Sequence, residues 1–361
     1  MPATSVLPSS ATDARSRRAA AERLAWPDVA RGLTVLMVVA MHIMYLQIAP
    51  MMWSSLGRQV HQPIIDASTV VRMPLFFVIS GFLSASALRR SWRSGVSGRI
   101  APRYYLYVVW LAITTLVVWA VAASDGREFD AWGYFLPQLW MPGGILWYIW
   151  ALAAYFAVAR ATRAVPAWLL LALAAAASIT SELVDVGPWG GVISGFLPFA
   201  AGIRLAPQVR SLTERVSPWW GALLAVVAVV LVVLEPVLPF PPAAEIVTSG
   251  ICVAAVLILL PRTAGWAGWR PVRHVGRHTL AIFAMHPLFI ILFSHLLRES
   301  PELTAAVAAS PWSVLLPIAE LLAIVLLALG LERLLRALGL RHLFEMPRWR
   351  ALRRRRSSRV S

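Results

Sequence analysis

Lysine is absent from this chain: all 33 basic residues among its 361 are arginine. Acidic residues number only 17, and charged residues of both signs make up 14% of the chain, against about 25% in an average soluble domain. One cysteine is present, Cys252. A lone cysteine excludes an intramolecular disulfide and a paired-thiol metal site, and its place inside an apolar run predicts a small core residue. No HExxH helix, phosphate-binding Walker loop or GxSxG elbow occurs, so zinc hydrolysis and nucleotide-driven transport lack their usual machinery. No short apolar stretch ending at a small-residue cleavage site opens the chain, which argues against a cleaved signal peptide.

What fills the sequence instead is apolar. Hydrophobic residues reach 59%, and mean hydropathy is +0.70. These values exclude a disordered chain and argue against a soluble globular enzyme. A bilayer core of about 30 Å needs about 20 mostly apolar residues per helix. Ten stretches meet or approach this: 29–49, 64–88, 104–123, 144–159, 166–180, 190–205, 219–240, 244–260, 279–297 and 312–331. The expectation is an all-α polytopic membrane protein of about ten transmembrane helices. It has a polar N-terminal tail (1–24), one membrane domain (25–340) and a basic C-terminal tail (341–361).

Arginine tests the count, because it collects in cytoplasmic segments. With the N-terminal tail placed inside and sides alternated, 28 of the 33 arginines fall on the cytoplasmic side. Only Arg58, Arg127 and Arg298 fall outside. The acidic residues lean outward, among them Asp125, Glu182, Glu235 and Glu302. Both termini are therefore expected in the cytoplasm, and the net charge of +16 mainly records orientation. The basic C-terminal run reads as an anchor to anionic lipids of the inner leaflet in preference to a nucleic-acid contact.

Polar residues within spans are costly and mark function by default. In the first span Arg31 and His42 are 11 positions apart, almost three full turns, so they share a face and stand about 16 Å apart along the axis. A cation at the cytoplasmic mouth and an acid–base group at depth suit an anionic substrate entering from inside. Asp28, one turn before Arg31, either orients that arginine or caps the helix. Arg72 lies in the second span, as a functional cation or a structural one with a local partner. Arg99 and Arg103 belong to a cluster that reads equally as the orientation signal or as a polyphosphate site. His286 is placed to support His42 or the acceptor, or simply to pack. Glu320 sits mid-span in the last helix, where an arginine is the expected partner. No metal site is expected. The cluster Trp147-Tyr148-Ile149-Trp150 reads as packing or interface anchoring.

Taken in order, several motifs resemble the acyltransferase-3 family of integral membrane acyltransferases. They are Asp28-Val-Ala-Arg31-Gly32-Leu33 with the Arg-x10-His spacing to His42, Pro74-Leu-Phe-Phe-Val-Ile-Ser-Gly-Phe-Leu83, Arg99-Ile-Ala-Pro102, Leu146-Trp147-Tyr148, and Gly276-Arg-His-Thr-Leu-Ala-Ile-Phe-Ala-Met-His286. The resemblance covers about residues 24–335. It departs where the family's Arg-x-x-Arg element would begin, at Val96, and where some relatives carry histidine in place of Arg72.

The resemblance implies an O-acyltransferase of the bacterial plasma membrane. Such an enzyme moves an acyl group, often acetyl, from cytoplasmic acyl-coenzyme A to a hydroxyl of a carbohydrate, glycolipid or other envelope acceptor. It implies no tightly bound cofactor, with acyl-coenzyme A as donor substrate and membrane lipids as surroundings. His42 takes the catalytic role, with Asp28 beside it in the motif, and Arg31 the donor side. Arg72, Arg99, Arg103, His286 and Glu320 are the further candidates for substrate contact. His42 acts either as general base or as transient acyl carrier. The rival class is a ten-span proton-coupled transporter or membrane scaffold, for which an internal repeat is expected and none is evident.

Overall fold

A computed structural model describes residues 25–89, 96–238 and 240–347. The N-terminal tail and residues 348–361 of the basic C-terminal tail lie outside these residues, as do Arg90 and Arg93. Within them the chain is all-helical, and no strand occurs. Helix α1 (Ala25–Ile43) runs on through a π-helical turn, Met44–Ile48, into Ala49–Met51. Then follow α2 (Leu56–Ala67), α3 (Thr69–Phe82), α4 (Ala101–Ser124), α5 (Trp147–Ala161), α6 (Ala167–Leu183), α7 (Trp189–Arg204), α8 (Pro218–Leu234), α9 (Pro242–Thr263), α10 (Arg270–Arg277), α11 (Thr279–Arg298) and α12 (Leu316–Ala337).

Each of the ten apolar stretches thus contains a helix. By length and apolarity four segments can cross a bilayer: Ala25–Met51, Gly98–Ser124, Pro242–Thr263 and Thr279–Arg298. Two bent pairs raise the number to six, α2 with α3 (46°) and α7 with the short helix Ala206–Glu214 (74°). The difference from ten has local causes. Helices α6 and α8 are apolar but 17 residues each, and α5 has 15. Helix α12 carries Glu320, Glu332, Arg333 and Arg336.

The main core gathers around α1, α3, α5 and α11. Val35, Val38, Ile43, Phe76, Phe77, Tyr148, Phe283 and Met285 are all buried in one cluster. Aliphatic and aromatic residues on every face make these helices stable only when surrounded. Glycines set the closest crossings. A Cβ on Gly276 of α10 would fall onto the carbonyl oxygen of Asp28, and one on Gly32 onto that of Val272, so α10 lies directly against the start of α1. Helices α3 and α7 cross in the same reciprocal way, through Gly81 against Phe199 and Gly202 against Val78. Cys252 is buried and free in α9.

Polar ties fasten the helix ends. At the far ends of α4 and α11, Asp125 meets Arg127 (2.6 Å), His295 (2.8 Å) and Arg298 (3.6 Å). The Arg127 hydrogen bond foremost, with the charges of the same cluster, holds the Asp125 carboxyl below its ordinary range. Asp125, His295 and Glu299 bring three ligand-type atoms together, but the two arginines already balance their charge. At the opposite end of α11, His278 and Arg336 both bond to the buried Glu332 (2.7 and 2.9 Å).

Candidate active site

His42 ends the regular part of α1 and faces α11. Its Nδ1 lies 3.0 Å from Nε2 of His286, and the two ring centroids are 5.0 Å apart. His286 has no exposed surface. Its other nitrogen, Nδ1, donates to the carbonyl of Phe283 at 2.8 Å. Two spans far apart in sequence thereby form one chain of polar groups, Phe283 carbonyl to His286 to His42. Sequence reasoning named both histidines but not the carbonyl, which any residue type supplies.

One turn beyond His42 the π-helical turn carries Gln47, buried to 1% exposure. Its amide donates to Glu320 Oε2 at 2.8 Å, and its carbonyl oxygen accepts from Ser294 at 3.4 Å. The buried partner of Glu320 is therefore a glutamine, not the arginine expected from the sequence. A search for charges alone passes over Gln47; counting every polar residue of the first span would have found it. The other oxygen of Glu320 has no hydrogen-bond partner among the described residues. Gln47→Leu leaves the carboxyl without its donor and is expected to cost about 1–3 kcal/mol, read as a lower thermal midpoint in detergent. Adding Glu320→Leu should recover most of the loss.

On the arginine-rich side, Arg31 sits on the unbroken helix α1, about 16 Å from His42. Its charge acts on Arg103 and on Tyr148. Arg103 donates to the carbonyl of Arg99 (2.7 Å). Arg99 reaches Ser84 Oγ and the Leu83 carbonyl, each at 3.3 Å. Arg103 is thus within charge range of Arg31 across two segments, α1 and the helical run Gly98–Ser124 that also carries Arg99, and backbone and hydroxyl oxygens help to orient Arg99 and Arg103. The charges of Arg31 and Arg103 both reach Tyr148. Its hydroxyl pairs with Ser80 Oγ (3.0 Å), and its ring packs on Phe76, Phe77 and Phe283. The packing expected for Tyr148 is observed; its place within charge range of Arg31 and Arg103 was not visible in the sequence.

Asp28 lies apart from His42, about 21 Å along α1. It pairs with Arg277 of α10 (3.3 Å) and so ties α10 to α1.

Arg72 approaches from the other side. It is 5% exposed and donates to Ser68 Oγ (2.7 Å), the Ile65 carbonyl (3.3 Å) and Thr69 Oγ1 (3.4 Å). Its charge reaches His42, Tyr45 and Asp66. Tyr45, one turn beyond His42, hydrogen-bonds to Asp66, which also accepts from Gln62 (2.8 Å). Gln62 and Asp66 open on a cavity of about 710 Å³ that Val233, Phe240 and Glu245 help to line.

The arrangement defines a polytopic helical membrane protein with an imidazole pair, an arginine cluster to one side and a cavity with mixed polar and apolar lining to the other. A family model described as an acyltransferase domain matches residues 24–331. The chain belongs to the acyltransferase-3 family and is a multi-pass membrane acyltransferase. No curated protein and no solved structure matches it.

Proposed function

We propose that the protein is an acyl-coenzyme A-dependent O-acyltransferase of the bacterial plasma membrane, with ten spans and both termini in the cytoplasm. It transfers an acetyl group from cytoplasmic acetyl-coenzyme A to a hydroxyl of a carbohydrate or glycolipid of the cell envelope. The observation that carries this reading is the alignment along α1: an arginine cluster at one end, His42 deeper on the same face as Arg31, and beyond it a cavity that Gln62 and Asp66 help to line. Arg31, Arg99 and Arg103 bind the phosphates of coenzyme A, where the planar guanidinium grips oxygens two at a time. The pantetheine arm runs inward past Tyr148, and the thioester reaches His42.

The acceptor hydroxyl enters from the cavity beside Asp66 and Arg72. His42 takes the hydroxyl proton while the oxygen attacks the thioester carbon. The Arg72 charge favours the oxyanion that forms. The C–S bond then breaks, and the departing thiolate takes the proton back from His42. In the alternative sequence the imidazole first carries the acetyl group and then passes it on; release of coenzyme A before acceptor addition distinguishes the two. Asp28 belongs to the α1–α10 tie in either route.

Purified protein in lipid nanodiscs with radiolabelled acetyl-coenzyme A tests the reading. Slow acetyl-coenzyme A hydrolysis without acceptor, and transfer to extracted envelope glycans, are the expected results. Neither activity, with no saturable donor binding, favours a transporter. Arg31→Gln and Arg103→Gln are each expected to raise KM for acetyl-coenzyme A about tenfold or more, the loss of one charge-assisted hydrogen bond, with kcat little changed.

A further inference from the structure

We infer that His286 fixes the ring state of His42, so that Nε2 of His42, and not Nδ1, is the atom that takes the proton or the acyl group. This rests on the proposal that His42 is the reacting group. The argument is one of hydrogen-bond direction. A carbonyl oxygen only accepts, so the 2.8 Å contact with Phe283 places a hydrogen on His286 Nδ1. A neutral imidazole carries one N–H and one lone pair. With both rings neutral, the state in which a base is available, the lone pair of His286 is on Nε2. His42 Nδ1 faces that lone pair at 3.0 Å and must donate to it, since two lone pairs at this distance repel; the Val38 carbonyl, one turn earlier on α1, is a second acceptor beside the same ring. The lone pair of His42 is then on Nε2.

Two further features keep the chain in this order. Phe283 precedes His286 by one turn of the same helix, so acceptor and ring move together. The Phe283 and His286 rings also pack at 5.4 Å between centroids, beside His42. His286 has no surface to offer a substrate. It acts through His42 and is a positioning residue. When Nε2 of His42 accepts the hydroxyl proton, Nδ1–H still donates to His286, and the hydrogen-bond order along the chain is unchanged.

The test is solid-state NMR of histidine labelled with nitrogen-15 in the full-length protein in lipid bilayers. His42 is assigned by difference from His42→Ala. The expected wild-type state is Nδ1–H with Nε2 unprotonated, and His286→Leu is expected to shift His42 toward the other tautomer. His286→Gln, whose carbonyl oxygen also accepts, should hold the wild-type tautomer, and it serves where the leucine variant does not fold. In turnover, His286→Leu should lower kcat about 10²-fold, the scale of acid–base catalysis, with KM for acetyl-coenzyme A unchanged; His286→Gln should restore part of the loss. A wild-type His42 protonated on Nε2, or a tautomer indifferent to His286→Leu, overturns the proposal. Wild-type protein that shows the expected tautomer but never turns over acetyl-coenzyme A overturns the functional reading instead.

Discussion

His42→Ala is expected to lower acetyl transfer about 10²- to 10⁴-fold, the range for removal of a positioned acid–base group. Donor binding should survive, because Arg31, proposed to bind the donor phosphates, lies about 16 Å away along α1. The measurement is therefore a pair: kcat from labelled acetyl transfer, and KM or equilibrium binding for acetyl-coenzyme A. A collapse of kcat at constant KM is the signature of a group that acts only in the chemical step. Thermal unfolding keeps the result interpretable, since His42 is half-buried and its ring has polar contacts with His286 and the Val38 backbone. A folded His42→Ala protein that transfers acetyl at the wild-type rate excludes the imidazole from the reaction.

Gly276→Val is expected to give the largest loss of stability. The added Cβ would occupy the space of the Asp28 carbonyl oxygen and crowd the backbone at Gly32. These are backbone atoms of α1, so no side-chain rotation relieves the clash. Overpacking of this kind costs about 1–3 kcal/mol and more where neither backbone can shift. If α10 moves away instead, the Asp28–Arg277 bond is broken and the start of α1, which carries Arg31, loses its neighbour. The expected result is a sharply lower thermal midpoint in detergent, with coenzyme affinity reduced in whatever fraction still folds. Gly330→Ala supplies the control. Nothing stands within 4 Å of a Cβ at that position, and alanine in a helix interior is favoured over glycine by about 0.5–1 kcal/mol. Equal damage from both substitutions would refute the close-crossing account.

Much of this architecture is written in the chain. Apolar run length marks the position of every major helix, and the Arg31–His42 spacing fixes a shared face because α1 is unbroken between them. The residues that complete the site are less legible, for definite reasons. Arg103 comes within charge range of Arg31 only through tertiary packing, which no local period encodes. The Glu320 partner was sought among cations, whereas a buried carboxyl is equally served by an amide donor, and Gln47 supplies it. Asp28 neighbours Arg31 in sequence, yet the approach of α10 through Gly276 draws it to Arg277. The number of crossings is blurred for a related reason: α5, α6 and α8 are short, α12 carries charge, and the α2–α3 pair bends, so hydropathy alone does not separate a crossing from a helix that is only partly inserted.

The π-helical turn at Met44–Ile48 has a geometric consequence for how the first span divides its labour. Five residues on a regular α-helix rotate a side chain by about 140°, which would point Gln47 away from the face that carries His42. A turn that closes from residue i to i+5 is wider and swings Gln47 back toward it. Helix α11 can then engage both, His42 through His286 and Gln47 through Ser294. The turn acts as a phase slip of one residue within a continuous rod. Removing one residue there, for instance Leu46, would let the turn close as a regular α-helix with Gln47 four positions from His42, about 40° away and still on its face. Removing one residue before the turn, where nothing absorbs the loss, would instead rotate His42 and Gln47 apart from the residues that precede them.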